Sequence, residues 1–213
     1  AELILANWRD SNVDWNAFDA LIPKACWDYS ENAVEFVQFI QKMMNLGIPL
    51  QNSAKTVLWN MRKTYLTDLK NKGLRVGDFR IIPQGTAVTT DVIFETLAAA
   101  NFHHGDNPMI VAKPSIGGGA SDTIRFNLND LEECLPHFKL VLNYSDLILQ
   151  PFFPEIKDGE YSFFYFDQKY SHAILKKPAK EDYRAHQLFG AKNNLYTPST
   201  QEIEEAFQFV KAG

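Results

Sequence analysis

The stretch Val111-Ala112-Lys113-Pro114-Ser115-Ile116-Gly117-Gly118-Gly119-Ala120-Ser121-Asp122 decides the fold. It grows out of the apolar run Met109 to Ala112, which reads as a buried strand ending in a lysine, and Thr123 to Phe126 reads as a returning strand. Successive glycines at Gly117, Gly118 and Gly119 permit positive φ and let backbone N–H groups approach an anion. A lysine at the strand end adds one point charge. A Walker loop needs Gly-x-x-x-x-Gly-Lys-Ser/Thr opening a helix, and a dinucleotide fingerprint also places its glycines at a helix start. Neither is present. Strand–loop–strand instead fits a flap over phosphates, and a long glycine hairpin beside a surface lysine fits the same residues equally well.

Working outward, Leu147 to Gln150 reads as a strand running into Pro151-Phe152-Phe153-Pro154, where two prolines bracket two aromatics. Such a backbone cannot pair fully, which suits an adenine edge or an edge strand that bends. Tyr161 to Phe166 and Tyr170 to Lys176 predict a hairpin, and Lys176, Lys177 and Arg184 form a basic cluster after it. Helices are expected from Ser30 (cap) to Leu46, from Met61 to Lys72, from Asp91 to Ala100, from an Asn129/Glu132 capping box to Val141, and after a Ser199/Glu202 capping box. Gly47 and Gly73 are the expected stops of the first two. Strands at Leu3–Ala6 and within Asp19–Ala25 would give the first fifty residues an open α/β layer, and His103 to Pro108 reads as a loop.

Composition excludes several classes. Of 213 residues, 46% are hydrophobic and 22% charged, which is too apolar for disorder and typical of a soluble globular protein. No apolar run reaches the roughly 18 residues of a membrane span, and the start carries no secretory pattern. A net charge of −5 argues against broad nucleic-acid or anionic-membrane binding. Two distant cysteines, Cys26 and Cys134, fit a reducing compartment, so a cytoplasmic location is expected. The five histidines show no metal-ligand spacing, no Gly-x-Ser-x-Gly elbow occurs, and the four tryptophans read as core packing.

Taken in order, these segments resemble the ATP-grasp superfamily, in its bacterial glutathione-synthetase-like branch, which includes cyclo-ligases. Asp14-Trp15 to Ala20 and Trp27-Asp28-Tyr29 look like the end of a pre-ATP-grasp α/β domain, and Trp59-Asn60 with Lys63 and Tyr65-Leu66 like a first ATP-contacting lysine segment. Val111–Asp122 looks like the second lysine with its flap, Gln150 to Ile156 like the adenine hinge, and Asp158-Gly159-Glu160 like the ribose carboxylate. Lys176-Lys177-Pro178, Asp182-Tyr183-Arg184 and Phe189-Gly190 look like the substrate and phosphate side.

The resemblance implies an α/β (α+β) fold in three parts. These are a partial pre-ATP-grasp domain over 1–54, a small lid subdomain over 55–148, and the start of a large subdomain over 149–213. It implies carboxylate activation by ATP with Mg2+, through an acylphosphate attacked by an amine, on small amino-acid or peptide-like substrates. Lys63, Lys113, Ser115, Gly117, Gly118, Gly119, Gln150, Phe152, Phe153 and Glu160 would bind ATP. Arg184 and Lys176 would hold transferred phosphate or substrate carboxylate. No metal ligand is assigned within the chain, because the family's acidic and amide ligands lie on strands beyond the last helix. The chain is therefore expected to lack both ends of a parent ligase and to be inactive by itself. The resemblance allows a homodimer. It departs at Phe189-Gly190-Ala191, where relatives carry two glycines, and at Lys24-Ala25-Cys26. A non-catalytic nucleotide-binding module, or an α/β domain unrelated to nucleotides, would also accommodate the pattern.

Overall fold

A computed structural model describes residues 2–99, 102, 108–180 and 182–213. The expected loop at His103 to Asn107 and the helix end at Ala100 lie outside the described residues. The chain forms two compact units, Ala1–Lys63 and Thr64–Gly213.

The first unit is built around helix α1 (Ala33–Asn45), with α2 (Ala54–Asn60) against it. Phe36, Ile40 and Met43 lie at helical spacing and are buried, whereas Val34 and Met44 face outward. Trp8 meets Phe36 edge-on at 5.2 Å, and Trp15 meets Phe39 at 5.1 Å. Gly47 ends α1 as expected: its φ is +71°, its N–H donates to Met44 O, and Ile48 N–H reaches back to Met43 O. Four expectations fail here. Leu3 to Ala6 forms no strand and its leucines are exposed, because among the described residues no strand lies along it. In Asp19–Ala25 only Leu21 pairs, in a single parallel bridge to Leu50. Ser30 ends a short 3-10 turn, Trp27–Ser30, and Asn32 occupies the cap position without a side-chain cap bond. Trp27, read as core, is 79% exposed.

The second unit begins with α3 (Tyr65–Asn71). The helix expected over Met61–Lys72 is thus only α3: Met61–Thr64, with Lys63, form the turn that separates it from α2. Gly73, at φ +80°, closes α3. Strands β1 (Arg80–Ile82), β2 (Met109–Pro114), β3 (Ile124–Asn127) and β4 (Leu147–Pro151) form an antiparallel sheet in the order β1-β4-β2-β3. Helices α4 (Thr90–Ala98) and α5 (Leu131–Leu142) cover one face. Side chains alternate across the sheet. Ile110, Ala112, Phe126, Leu147 and Leu149 therefore pack with Ile93, Leu97, Phe138 and Val141, most of them essentially inaccessible to solvent. The opposite face carries Val111, Lys113, Arg125, Ile148 and Gln150, as the register Arg125↔Val111↔Gln150 and Lys113↔Ile148 requires. The Asn129/Glu132 capping box does not form. A 3-10 turn at Leu128–Asp130 runs straight into α5, and Asp130 makes no side-chain cap bond.

A second antiparallel sheet follows, β5 (Glu160–Phe166), β6 (Lys169–Lys177) and β7 (Lys192–Tyr196), in that order. Helix α6 (Thr200–Ala212) packs on β5, with Tyr165 donating its hydroxyl to Ile203 O and stacking on Phe207. Its Ser199/Glu202 capping box is complete.

Candidate functional site

The face of the first sheet turned away from α4 and α5 carries the site. Lys113 projects from the last turn of β2 on this face, opposite Ile148. Burial pulls its ammonium below the usual lysine value, and the charge of Glu160 partly offsets this. Glu160 opens β5 directly across from Lys176, and the two form an ion pair at 3.0 Å. Glu160 thus pairs with Lys176 and acts on Lys113 through its charge, so two ammonium groups stand around one carboxylate. Such an arrangement attracts phosphate or carboxylate.

The loop is fastened at both roots to the single turn that joins α5 to β4. At its start Ser115 and Ser145 are fully buried, their hydroxyls 3.0 Å apart. Ser115 N–H donates to Asp146 O at 2.8 Å, and Ile116 N–H donates to Ser145 Oγ at 3.2 Å. Ser115 is thereby an internal anchor whose N–H and hydroxyl are taken by the protein. At the loop's end Tyr144 donates its hydroxyl to Asp122 Oδ2 at 2.7 Å, and His137 Nε2 lies 3.0 Å from Asp122 O. Burial, reinforced by Asp122, pushes the Tyr144 phenol upward. Of the three glycines only Gly119 uses positive φ, +61°, followed by Ala120 at +61° and Asp122 at +51°. The tip of the loop lies beside the segment His186–Leu188, since a Cβ at Gly119 would come within 3.9 Å of both side chains.

The hinge is more committed than its prolines suggested. Phe152 N–H donates to Met109 O at 2.9 Å, so this residue offers a base only its carbonyl and ring. Phe153 is 44% exposed, with its ring against Gly77. Gln150 is half-buried opposite Val111. Arg184 is held by Asp182 in a bidentate pair, Nη2 to Oδ2 at 2.6 Å and Nε to Oδ1 at 2.9 Å, and lies over the Phe189 ring at 3.3 Å. The hydrogen bonds from Arg184 hold the Asp182 carboxyl down at about 2. The structure thus gathers Lys113, Glu160 and Lys176. Phe152, Tyr183 and Arg184 stand together in an aromatic group, and Lys63 belongs to the first unit. Arg125, 4.9 Å from the Phe152 ring centre and 4.7 Å from that of Tyr183, joins this group without having been picked out by any motif. Its only signal in the sequence is a place on the same strand face as Lys113. Among the described residues no group of three or more His, Cys, Asp or Glu gathers as a metal site, and no helix is long and apolar enough to cross a membrane.

The sequence and the fold are similar to those of known proteins. The N-terminal domain family of D-cycloserine synthetase DcsG matches residues 1–52. The cycloserine biosynthesis protein DcsG of Streptomyces lavendulae is 29% identical over 177 residues, covering 81% of this chain and 56% of that protein. The chain therefore spans just over half the length of that curated relative. The crystal structure of D-cycloserine synthetase DcsG superposes with a TM-score of 0.83 at 24% identity, covering 97% of this chain and 69% of that one. The D-alanine–D-alanine ligase of Bacillus anthracis, complexed with ATP, follows at 0.60 and 17%, covering 87% of this chain and 62% of that one. The chain is thus similar to D-cycloserine synthetase, and its fold is part of the ATP-grasp fold.

Proposed function

We propose that this chain is the nucleotide-binding portion of an ATP-dependent ligase that joins a small carboxylate to an amine or similar nucleophile. The observation that carries the reading is Lys113, half-buried on a strand face at the root of a glycine loop, next to the Glu160–Lys176 pair. A desolvated cation beside flexible backbone N–H groups is suited to a polyphosphate. Lys113 and Lys176 would neutralise phosphate charge while Gly117, Gly118 and Gly119 close over it. Gln150, Phe152 and Phe153 would receive adenine. Glu160 has Oε1 on Lys176, and Oε2 would accept from a ribose hydroxyl. Ser115 serves by anchoring the loop, and Lys63 is assigned to phosphate by the resemblance alone.

In the reaction a carboxylate oxygen attacks the γ-phosphorus and ADP leaves. The amine nitrogen then attacks the acyl carbon, releasing phosphate and a proton. Positioning and charge neutralisation carry such a reaction, which places Arg184 and Lys176 at the transferred phosphate or the substrate carboxylate. Magnesium belongs to this chemistry as a companion of the phosphates. The described residues offer no acidic cluster that fits it, so no step is assigned to it.

The test is ADP release from MgATP by the complete parent protein, presented with pairs of small amino acids, with Lys113→Met as control. Turnover with at least one pair, abolished in the variant, is expected. ATP binding without turnover on any pair would leave a nucleotide-binding module, and no ATP binding would overturn the reading.

A further inference from the structure

Arg125 lies on β3, an edge strand of the first sheet, opposite Val111 of β2, which is itself opposite Gln150 of β4, so its side chain lies on the face that leads across β2 toward the end of β4. There the guanidinium sits over two rings, Phe152 at 4.9 Å and Tyr183 at 4.7 Å, which meet each other edge-on at 5.9 Å. No carboxylate among the described residues lies within ion-pair distance of Arg125. Its partners are aromatic faces, which attract a guanidinium through their quadrupole.

The segment reached through Tyr183 has little else to hold it. Among the described residues, the hydrogen bonds of 182–190 stay inside the segment or go to its chain neighbours Ala179 and Ala191. Asp182 N–H donates to Ala179 O, Arg184 to the Asp182 carboxylate, Leu188 N–H to His186 Nδ1 and Phe189 N–H to His186 O. It is a self-bonded loop, fixed to the first sheet through rings and guanidinium. The same segment carries Arg184 and stands beside the tip of the glycine loop.

We infer that Arg125 is a positioning residue that clasps the 182–189 segment to the Phe152 end of β4, building in advance the wall of the cleft that faces the glycine loop. The clasp stands on geometry alone. Its consequence for ATP rests on the nucleotide reading above.

The experiment uses backbone amide relaxation in the ligand-free chain, with Arg125→Met and Arg125→Lys. In the wild type the amides of 182–185 should show order parameters near about 0.85, and in Arg125→Met they should fall to about 0.6 or lower. Arg125→Lys keeps the charge without the planar group and should recover part of the order. The upfield ring-current shift of the Arg125 side-chain protons should shrink in Tyr183→Leu, which leaves only the Phe152 ring beside them. Unchanged resonances in β2 and β4 show that each variant is folded. Order parameters unchanged in both Arg125 variants would overturn the clasp. With ATP as the probe, Arg125→Met should bind about 5- to 30-fold more weakly, the value of two exposed cation–π contacts. ATP affinity equal to wild type, with the segment loosened, would overturn its role as a cleft wall. Failure of the wild type to bind ATP would instead refute the nucleotide reading, with the relaxation data still deciding the clasp.

Discussion

Replacing Ser145 with alanine removes the hub that fixes the first root of the glycine loop. Ser145 Oγ is fully buried, accepts from Ile116 N–H at 3.2 Å, lies 3.0 Å from Ser115 Oγ and donates to Asp146 O at 3.1 Å. Ser115 retains a second partner, Asp146 Oδ2 at 3.4 Å, whereas Ile116 N–H has no replacement at a residue that is only 4% exposed. One buried N–H left unpaired costs about 1–3 kcal/mol. For a chain of this size that lowers the melting temperature by roughly 2–12 °C. Calorimetry on Ser145→Ala measures the shift, and hydrogen exchange at the Ile116 amide locates it. Ser121→Ala, an exposed hydroxyl in the same loop, should stay within about 0.5 kcal/mol of wild type. A Ser145→Ala melting point within 1 °C of wild type, with Ile116 still protected (about 1 °C is well below one lost hydrogen bond), would refute the anchoring argument.

Three further outcomes follow from the same geometry. Gly159 has φ +120°, and a Cβ there would collide with Leu175 Cδ1 and come within 3.1 Å of Lys176 O, so Gly159→Ala should lose about 1–3 kcal/mol in denaturant unfolding and disturb the Glu160–Lys176 pair. Tyr144→Phe removes the bond to Asp122 at the loop's other root and should cost about 0.5–1.5 kcal/mol, with faster exchange at residues 120–123. Asp182, held by Arg184, should titrate at about 2 by NMR. Because its folded value is depressed, the pair's stabilisation is present above the ordinary carboxylate value of about 3.9 and is lost as pH falls toward the folded one. Arg184→Met should return Asp182 to the ordinary range.

What the sequence made legible was what local chemistry decides. Met109–Pro114, the glycine loop and the returning strand are one continuous stretch whose apolar pattern and glycines act on each other. The Ser199/Glu202 box is satisfied three residues apart. Elements that depend on distant partners were harder to read. Leu3 to Ala6 has a strand's composition and, among the described residues, no strand beside it. Asn129/Glu132 has a capping box's spacing, but the 3-10 turn at Leu128–Asp130 enters the helix one residue later. Val34 and Met44 belong to the apolar count of α1 and not to its buried stripe. In the site, Lys113 was marked by its place before the glycine loop, and Glu160 by the family resemblance alone. Arg125 was not, because its meaning comes from pairing with Val111 and from two rings supplied by β4 and the 182–189 segment. Ser115 was legible as part of the loop, but its anchoring bonds come from Ser145 and Asp146.

The central claim is that Lys113 and its loop bind a polyphosphate, and thermal stability of this chain with and without MgATP tests it most directly. ATP at about 100 times its dissociation constant should stabilise the wild type by about 2.7 kcal/mol, roughly 5–11 °C. The account predicts that Lys113→Ala loses this shift while Ser121→Ala keeps it. No shift in the wild type, or an equal shift in Lys113→Ala, would contradict it.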